Sequence, residues 1–289
     1  MEYNQEILDR LHGIELEILQ DFIRVCEENR LTWWAFGGAG IGALRHGGFI
    51  PWDDDIDVCL MRGDYEKLAE LFREQYPDKY LVVNLAEYAT CPFSTTRIML
   101  KDSRFLDIPY RKIKDCPFGI FLDVYAFDNV APTDRQMKRQ AWKSWFYDKL
   151  IILSAIPFPV LPFRGIKGKL IHCATATVWA VLKTFRVNRQ KLYRKLVKAS
   201  GKYSDGKPAR AYGFFCDTNP FRNTYTHEEL FPLRTLPFEG IEVKFPHELE
   251  KTLTDLYGDF MQLPPPEKRK NHFPAELRFP GEETLSGAE

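Results

Sequence analysis

The chain predicts an α/β fold, a mixed β-sheet flanked by helices and interrupted by a basic helical insertion. Three observations carry this reading. Up to Phe127, short apolar runs suited to strands alternate with segments of helical period. From Asp134 to about Lys202 the text becomes basic and helical. With 289 residues, 45% of them hydrophobic and 28% charged, the chain can bury a sizeable core as an ordinary globular protein.

Residues 5–29 place Ile7, Leu8, Leu11, Ile14, Ile18, Phe22 and Val25 at helical spacing, so one amphipathic helix is expected, with Gly13 as its weak point. Leu31–Phe36 is a short apolar run ending at Gly37-Gly38, which suits a buried strand and a tight turn. Ala39–Arg45 fits a short helix, broken by His46-Gly47-Gly48. Pro51 cannot donate a ladder hydrogen bond, so the next strand is expected after it, over Asp53–Leu60. Asp64–Tyr76 reads as a helix with Asp64 as N-cap, and Tyr80–Asn84, Thr95–Lys101 and Gly119–Phe127 read as strands. The basic segment reads as two or three helices with a break near 157–168, where Pro157, Pro159, Pro162, Gly165 and Gly168 fall. After Gly201 the sequence is irregular, with one helix expected over Pro246–Tyr257 and a disordered end, GEETLSGAE. The resulting division is a core over 1–132, a basic helical insertion over 133–202, a C-terminal block over 203–280 that packs on the core, and a tail over 281–289.

Formal net charge is zero, but its distribution is uneven. Between Thr133 and Lys202 there are sixteen Lys/Arg and two Asp, which leaves 24 basic and 38 acidic residues elsewhere of the 40 and 40. One face for an anionic partner is therefore expected, either a peripheral membrane patch or a helical lid with solvated lysines. No nucleic-acid-binding motif accompanies the basic segment, so nucleic acid is not the expected partner. The six cysteines are scattered, with no CxxC pair and no Cys/His spacing for zinc. The polar opening MEYNQEILDRLHG has no signal-peptide pattern, so a cytoplasmic setting is expected.

The stretch WWAFGGAGIGALRHGGFIPWDDDIDV concentrates the chemistry. Asp53, Asp54, Asp55 and Asp57 repel one another unless a cation sits among them. On the expected strand Asp53–Leu60, Asp55 and Asp57 share one face and Asp54 points away. Asp123, charged inside the apolar FLDVY, is the third candidate carboxylate, as metal ligand or proton acceptor. Gly37-Gly38 opening a short helix suits a phosphate, because glycine allows close approach and the helix N-terminus favours anions. Arg45, His46, Arg97 and Lys101 lie near these elements in sequence and are candidate phosphate clamps.

The segment GGAGIGALRHGGFIPWDDDIDVCLMRGDYEKL resembles the signature of the LicD family, and LFPLRTLPFEGIEVKFPHELEKTLTDLYGDFMQLPPPEKR is similar to that family's C-terminal block. The resemblance implies a nucleotidyltransferase-like fold and Mg²⁺-dependent transfer of a phosphorylated alcohol from a CDP-linked donor, CDP-choline, to a glycan hydroxyl. Lipopolysaccharide, teichoic acid, capsule or a lipid-linked precursor would be the acceptor, and the inner membrane face the place of work. By that pattern Gly37-Gly38 is the turn, Asp55 and Asp57 hold the metal and Asp123 completes a two-ion site, with Mn²⁺ as an alternative ion. His46–Trp52 is an insertion relative to the general nucleotidyltransferase pattern. If choline is the alcohol, Trp33, Trp34, Trp52, Phe93 and Tyr125 are the aromatic residues available to cage it. Other readings are glycosyl transfer from a nucleotide sugar, nucleotidyl transfer, and an inactive nucleotide-binding protein.

Overall fold

The first helix, α1 (Gln5–Glu28), is capped by Asn4, whose side chain accepts from the Glu6 amide, and Gly13 leaves it unbroken. The computed structural model describes residues 3–159, 165–269, 271 and 273–286. Next come β1 (Trp33–Phe36), α2 (Gly38–His46), β2 (Asp57–Met61), α3 (Arg62–Gln75), β3 (Tyr80–Val83), β4 (Thr96–Leu100), β5 (Arg104–Leu106) and β6 (Phe121–Asn129). Three helices follow, α4 (Asp134–Ala155), α5 (Gly165–Thr184) and α6 (Arg189–Ser200). The chain then forms β7 (Ala211–Phe214), β8 (Asn223–Thr226), α7 (His227–Leu230), β9 (Arg234–Phe238), β10 (Ile241–Phe245), α8 (Leu249–Tyr257), β11 (Glu276–Arg278) and β12 (Leu285–Ser286).

The predicted mixed sheet is present. Its order is β1-β2-β6-β4-β3, with β7 and β8 continuing from β6. The β2–β6 pair is parallel, while β1–β2, β4–β6 and β3–β4 are antiparallel. Residue alternation then sorts the two faces. Trp33, Ala35, Val58, Leu60, Leu122 and Val124 enter the main core with α1 and α3, whereas Trp34, Cys59 and Phe127 form a second core on the opposite face. Trp33 and Trp34 are thus both packing residues.

Strand β2 begins at Asp57, not at the expected Asp53. Its neighbour β1 ends at Phe36, which pairs with Asp57, and Gly37 then turns the chain away. Residues 53–55 have no β1 partner, and Asp53 instead donates its amide to the Ile50 carbonyl at 2.9 Å in a turn. Helix α3 likewise begins before Asp64: Met61 occupies the N-cap position, and Asp64 in the first turn accepts the Thr32 amide at 2.9 Å. Acid there still suits the positive end of the helix.

The C-terminal block is woven into the core. Asp128 and Asn129 of β6 pair with Gly213 and Tyr212 of β7, and β11 pairs with β5. Leu285 and Ser286 form β12 against β11, so the tail is ordered at least to there, whereas 287–289 lie outside the described residues. Part of the expected break at 157–168, including Pro162, also lies outside them. The basic helices attach through buried polar contacts: Gln140 Nε2 donates to the carbonyls of Asn129 (2.9 Å) and Ser200 (2.6 Å). Among the described residues no helix is long and apolar enough to cross a membrane.

Candidate active site

The turn after β1 places backbone beside carboxylate. Gly37, at φ 59° and ψ −123°, stands where a side chain would be strained, and a Cβ there would lie 3.5 Å from Asp57 Oδ2 and 3.4 Å from the Tyr257 hydroxyl. A Cβ on Gly38 would collide with the Asp53 carboxylate. The N-terminus of α2 therefore meets Asp53 and Asp57 directly, with no side chains between.

The His46–Trp52 insertion now has a structural role. It runs back along α2 from the helix's C-terminal end to its N-terminal end, with the Gly48 carbonyl against Gly42 and Asp53 against Gly38. Glu239, in the β9–β10 turn, holds it by accepting the Phe49 amide at 2.9 Å and donating its own amide to the Gly47 carbonyl at 3.0 Å. His12 on α1 secures the far end, with Nε2 2.8 Å from the Asp53 carbonyl and its ring stacked on Phe49 at 3.9 Å. The loop so delivers the acidic cluster to the end of β2.

Parallel pairing of β2 and β6 sets Asp57 directly opposite Asp123. Asp57 is pushed well above the ordinary carboxylate range by desolvation, then by Asp55, Asp123 and Asp53, while a hydrogen bond from Tyr125 opposes the shift. Asp123 is buried; desolvation raises it, and Arg97 opposes. Its Oδ2 accepts from Arg97 Nε at 3.4 Å, and its Oδ1 is buried with no hydrogen-bond partner among the described residues. One oxygen from each of Asp53, Asp54 and Asp55 lies within 4.8 Å of the others. This assembly of hard carboxylate oxygens, with Asp123 Oδ1 lacking a partner among the described residues and with Asp55, Asp123 and Asp53 all raising Asp57, fits a hard divalent cation such as Mg²⁺.

Several expectations about individual residues change. Pleat parity does not unite Asp55 with Asp57, since Asp55 precedes the strand, yet the loop still makes Asp55 the strongest charge acting on Asp57. Asp54 is fully buried, accepting the Tyr3 hydroxyl at 2.7 Å, and remains within the acidic group. Arg97 reaches the site as the register partner of Asp123. It is buried between Asp107, at 2.9 Å, and the Phe121 ring, at 3.7 Å, so its first duty is to hold Asp123. Arg45 and His46 lie at the other end of α2, about 12 Å along the helix from Gly38. There Arg45 donates to the Phe260 carbonyl at 2.6 Å and to His46 Nε2 at 2.9 Å. Lys101 follows the far end of β4 and donates to the Pro77 carbonyl at 2.5 Å. The structure does not bring these three together with the carboxylates.

Two residues escaped the sequence reading. Glu15 of α1 is 2% exposed, its Oε2 has no hydrogen-bond partner among the described residues, and burial with Asp55, Asp54, Asp53 and Asp57 raises it well above the carboxylate range. An acid on the apolar stripe of Leu8, Leu11, Ile18 and Phe22 was the available signal. Tyr257 comes from the distant α8, with burial, Asp57 and Asp53 pushing its hydroxyl up to about 12. No local pattern announces it.

A cavity of ≈ 340 Å³ opens on the Asp123 face of the sheet. Its walls include Phe36, Phe93, Tyr110, Tyr125 and Phe214, with the carboxylates of Asp123, Asp148 and Asp217. Tyr125 meets Phe214 edge-on at 5.0 Å and Phe36 at 5.8 Å. Of the aromatic residues considered for a choline cage, Phe93 and Tyr125 are here, while Trp33 and Trp34 are core and Trp52 sits under Arg269 at 4.4 Å.

Comparison with known proteins agrees with the signature. Residues 30–170 match the family described as LicD/FKTN/FKRP, nucleotidyltransferase domain. The chain is 26% identical over 264 residues to the lipopolysaccharide cholinephosphotransferase LicD of Haemophilus influenzae, covering 89% of this chain and 92% of that protein. It is also 27% identical over 167 residues to an uncharacterised protein of Rickettsia prowazekii, covering 51% of this chain and 60% of that one.

Proposed function

This chain belongs to the LicD family, and from that premise we propose that it transfers phosphocholine from CDP-choline to a hydroxyl of a cell-surface glycan, lipopolysaccharide or its lipid-linked precursor. The observation that carries the reading is the convergence of Gly37, Asp57 and Asp123, the last of which also lines an aromatic, carboxylate-bearing cavity. A quaternary ammonium suits such a cavity, since aromatic faces and carboxylates both attract a cation that donates no hydrogen bond.

Asp55, Asp57 and Asp123 would hold Mg²⁺, with Asp53 beside them. Bound there, the ion would neutralise diphosphate charge and polarise the reacting phosphoryl group. The chain's own residues do the rest. The N-terminus of α2, where Gly37 and Gly38 carry no side chains, would face the diphosphate. Arg97, locked by Asp107, fixes the Asp123 carboxylate. The acceptor oxygen attacks the distal phosphorus in line, the bond from that phosphorus to the bridging oxygen breaks, and CMP departs. The alternative role for Asp123, in place of holding an ion, is to take the hydroxyl proton, which the desolvation that raises it would favour. The Tyr257 hydroxyl, at Gly37, is placed to donate to a phosphate oxygen.

The test is incubation with Mg²⁺, a lipopolysaccharide acceptor and a panel of CDP-alcohols and nucleotide sugars. CMP release and choline incorporation from CDP-choline are expected, both abolished by EDTA and by Asp57→Asn. Release of pyrophosphate, or of a nucleoside diphosphate from a nucleotide sugar, would instead favour nucleotidyl or glycosyl transfer.

A further inference from the structure

Helix α5 exposes apolar side chains that a surface helix ordinarily turns to the core. It runs for 20 residues, GIKGKLIHCATATVWAVLKT, and Gly168 alone among them is fully buried. One side packs toward α4 through the part-buried Ile171, Thr175, Trp179 and Leu182. The other side is also apolar. Ile166 is 81% exposed, Leu170 65%, Val181 49% and Phe185, just past the helix end, 76%. Their spacing of 4, 11 and 4 residues keeps them on one stripe about 30 Å long. Phe158, before the helix, is 60% exposed and meets the His172 ring edge-on at 6.1 Å, off the stripe.

The charge around the stripe selects what covers it. Lys167 and Lys169 lie on either side of its first turn, Lys183 lies over the Trp179 ring at 4.6 Å, and the whole 134–202 segment contains no glutamate. In the same three-helix unit a groove of ≈ 730 Å³ between α4 and α6 is lined by Arg139, Lys143, Lys195, Lys198 and Lys202. A second copy of this chain would bring the same positive charge to the contact and be repelled. An anionic lipid surface would accept the apolar stripe at the acyl boundary while its headgroup phosphates met the lysines.

We propose that α5 is an interfacial helix that lies in the plane of an anionic bilayer and docks the protein on it, with Ile166, Leu170, Val181 and Phe185 inserted. The inference stands on the three-helix unit alone and does not depend on the reaction catalysed elsewhere.

Vesicle sedimentation of the full-length protein tests it. Binding to phosphatidylcholine vesicles containing phosphatidylglycerol is expected, weakening with salt, and falling at least about tenfold on vesicles of phosphatidylcholine alone. I166S/L170S/V181S/F185S, with an unchanged circular dichroism spectrum, should lose about tenfold or more of the partitioning. K167E/K169E/K183E should lose a similar amount, and most of its salt dependence. No binding, equal binding to neutral and anionic vesicles, or undiminished binding of the serine variant would overturn the proposal. So would a dimer in solution that the serine variant dissociates, since the stripe would then be a contact between copies.

Discussion

At the scale of single residues, the site is a set of like charges held together against their repulsion. Removing one should relieve the ion-free protein while destroying the centre. Asp57→Asn is expected to raise the melting temperature in EDTA and to abolish the Mg²⁺-induced increase expected of the parent. Differential scanning calorimetry with and without Mg²⁺ reads both. The pH dependence follows from the same shifts. Asp57, Asp123 and Glu15 all titrate above their ordinary values in the fold, so the folded state binds more protons than the unfolded chain. Their contribution to stability is complete below the ordinary carboxylate range and is lost as pH rises through the raised values. A cation opposes that loss, and the Mg²⁺-induced melting shift should therefore be larger at pH 7.5 than at pH 5.5. Tyr257→Phe removes only a hydroxyl from a half-exposed ring at the rim of the site. It should lower kcat roughly tenfold to a hundredfold with little change in melting temperature.

At the scale of elements, the central device is a loop folded back along a helix. Helix α2 and the 47–52 loop run side by side because Gly42 leaves room for the Gly48 carbonyl, while Gly48 leaves room for the Glu239 side chain that holds the loop. Gly42→Ala drives a Cβ into the Gly48 carbonyl and should cost about 1–3 kcal/mol of stability by urea denaturation. It should also weaken the Mg²⁺ response, because Asp53 and Asp55 lose their seat. Here the sequence and the structure part company in an instructive way. The helix, the Gly-Gly turn and the Asp-x-Asp spacing were legible from local pattern. The start of β2 was not, because strand length is set by the partner: β1 stops at Phe36, and the ladder stops with it. Arg45 and His46 looked close to the carboxylates along the chain but are a full helix length away. Arg97 and Asp123 looked unrelated and are cross-strand neighbours.

At the scale of the whole molecule, the C-terminal block read from the sequence shares its sheets and its site with the core. Strand β7 extends the central sheet from β6, β11 pairs with β5, and α8 brings Tyr257 to the site by packing Leu249 and Leu253 on Gly40. Glu15, from the opposite end of the chain, lies under the acidic cluster. Long-range pairings of this kind have no local signature, which is why Tyr257 was invisible and Glu15 detectable only as a misplaced charge. Unfolding in urea, followed by tryptophan fluorescence and far-ultraviolet circular dichroism, should give coincident transitions for the core and the C-terminal block. Two separated transitions would mean that the block is an independent domain. The measurement that bears most directly on the central claim is CMP release from CDP-choline by the purified protein with Mg²⁺ and a lipopolysaccharide acceptor, run beside Asp57→Asn and Asp123→Asn. The proposed function predicts Mg²⁺-dependent release in the parent and a loss of at least about a thousandfold in either variant. Release that persists undiminished in both variants would contradict it.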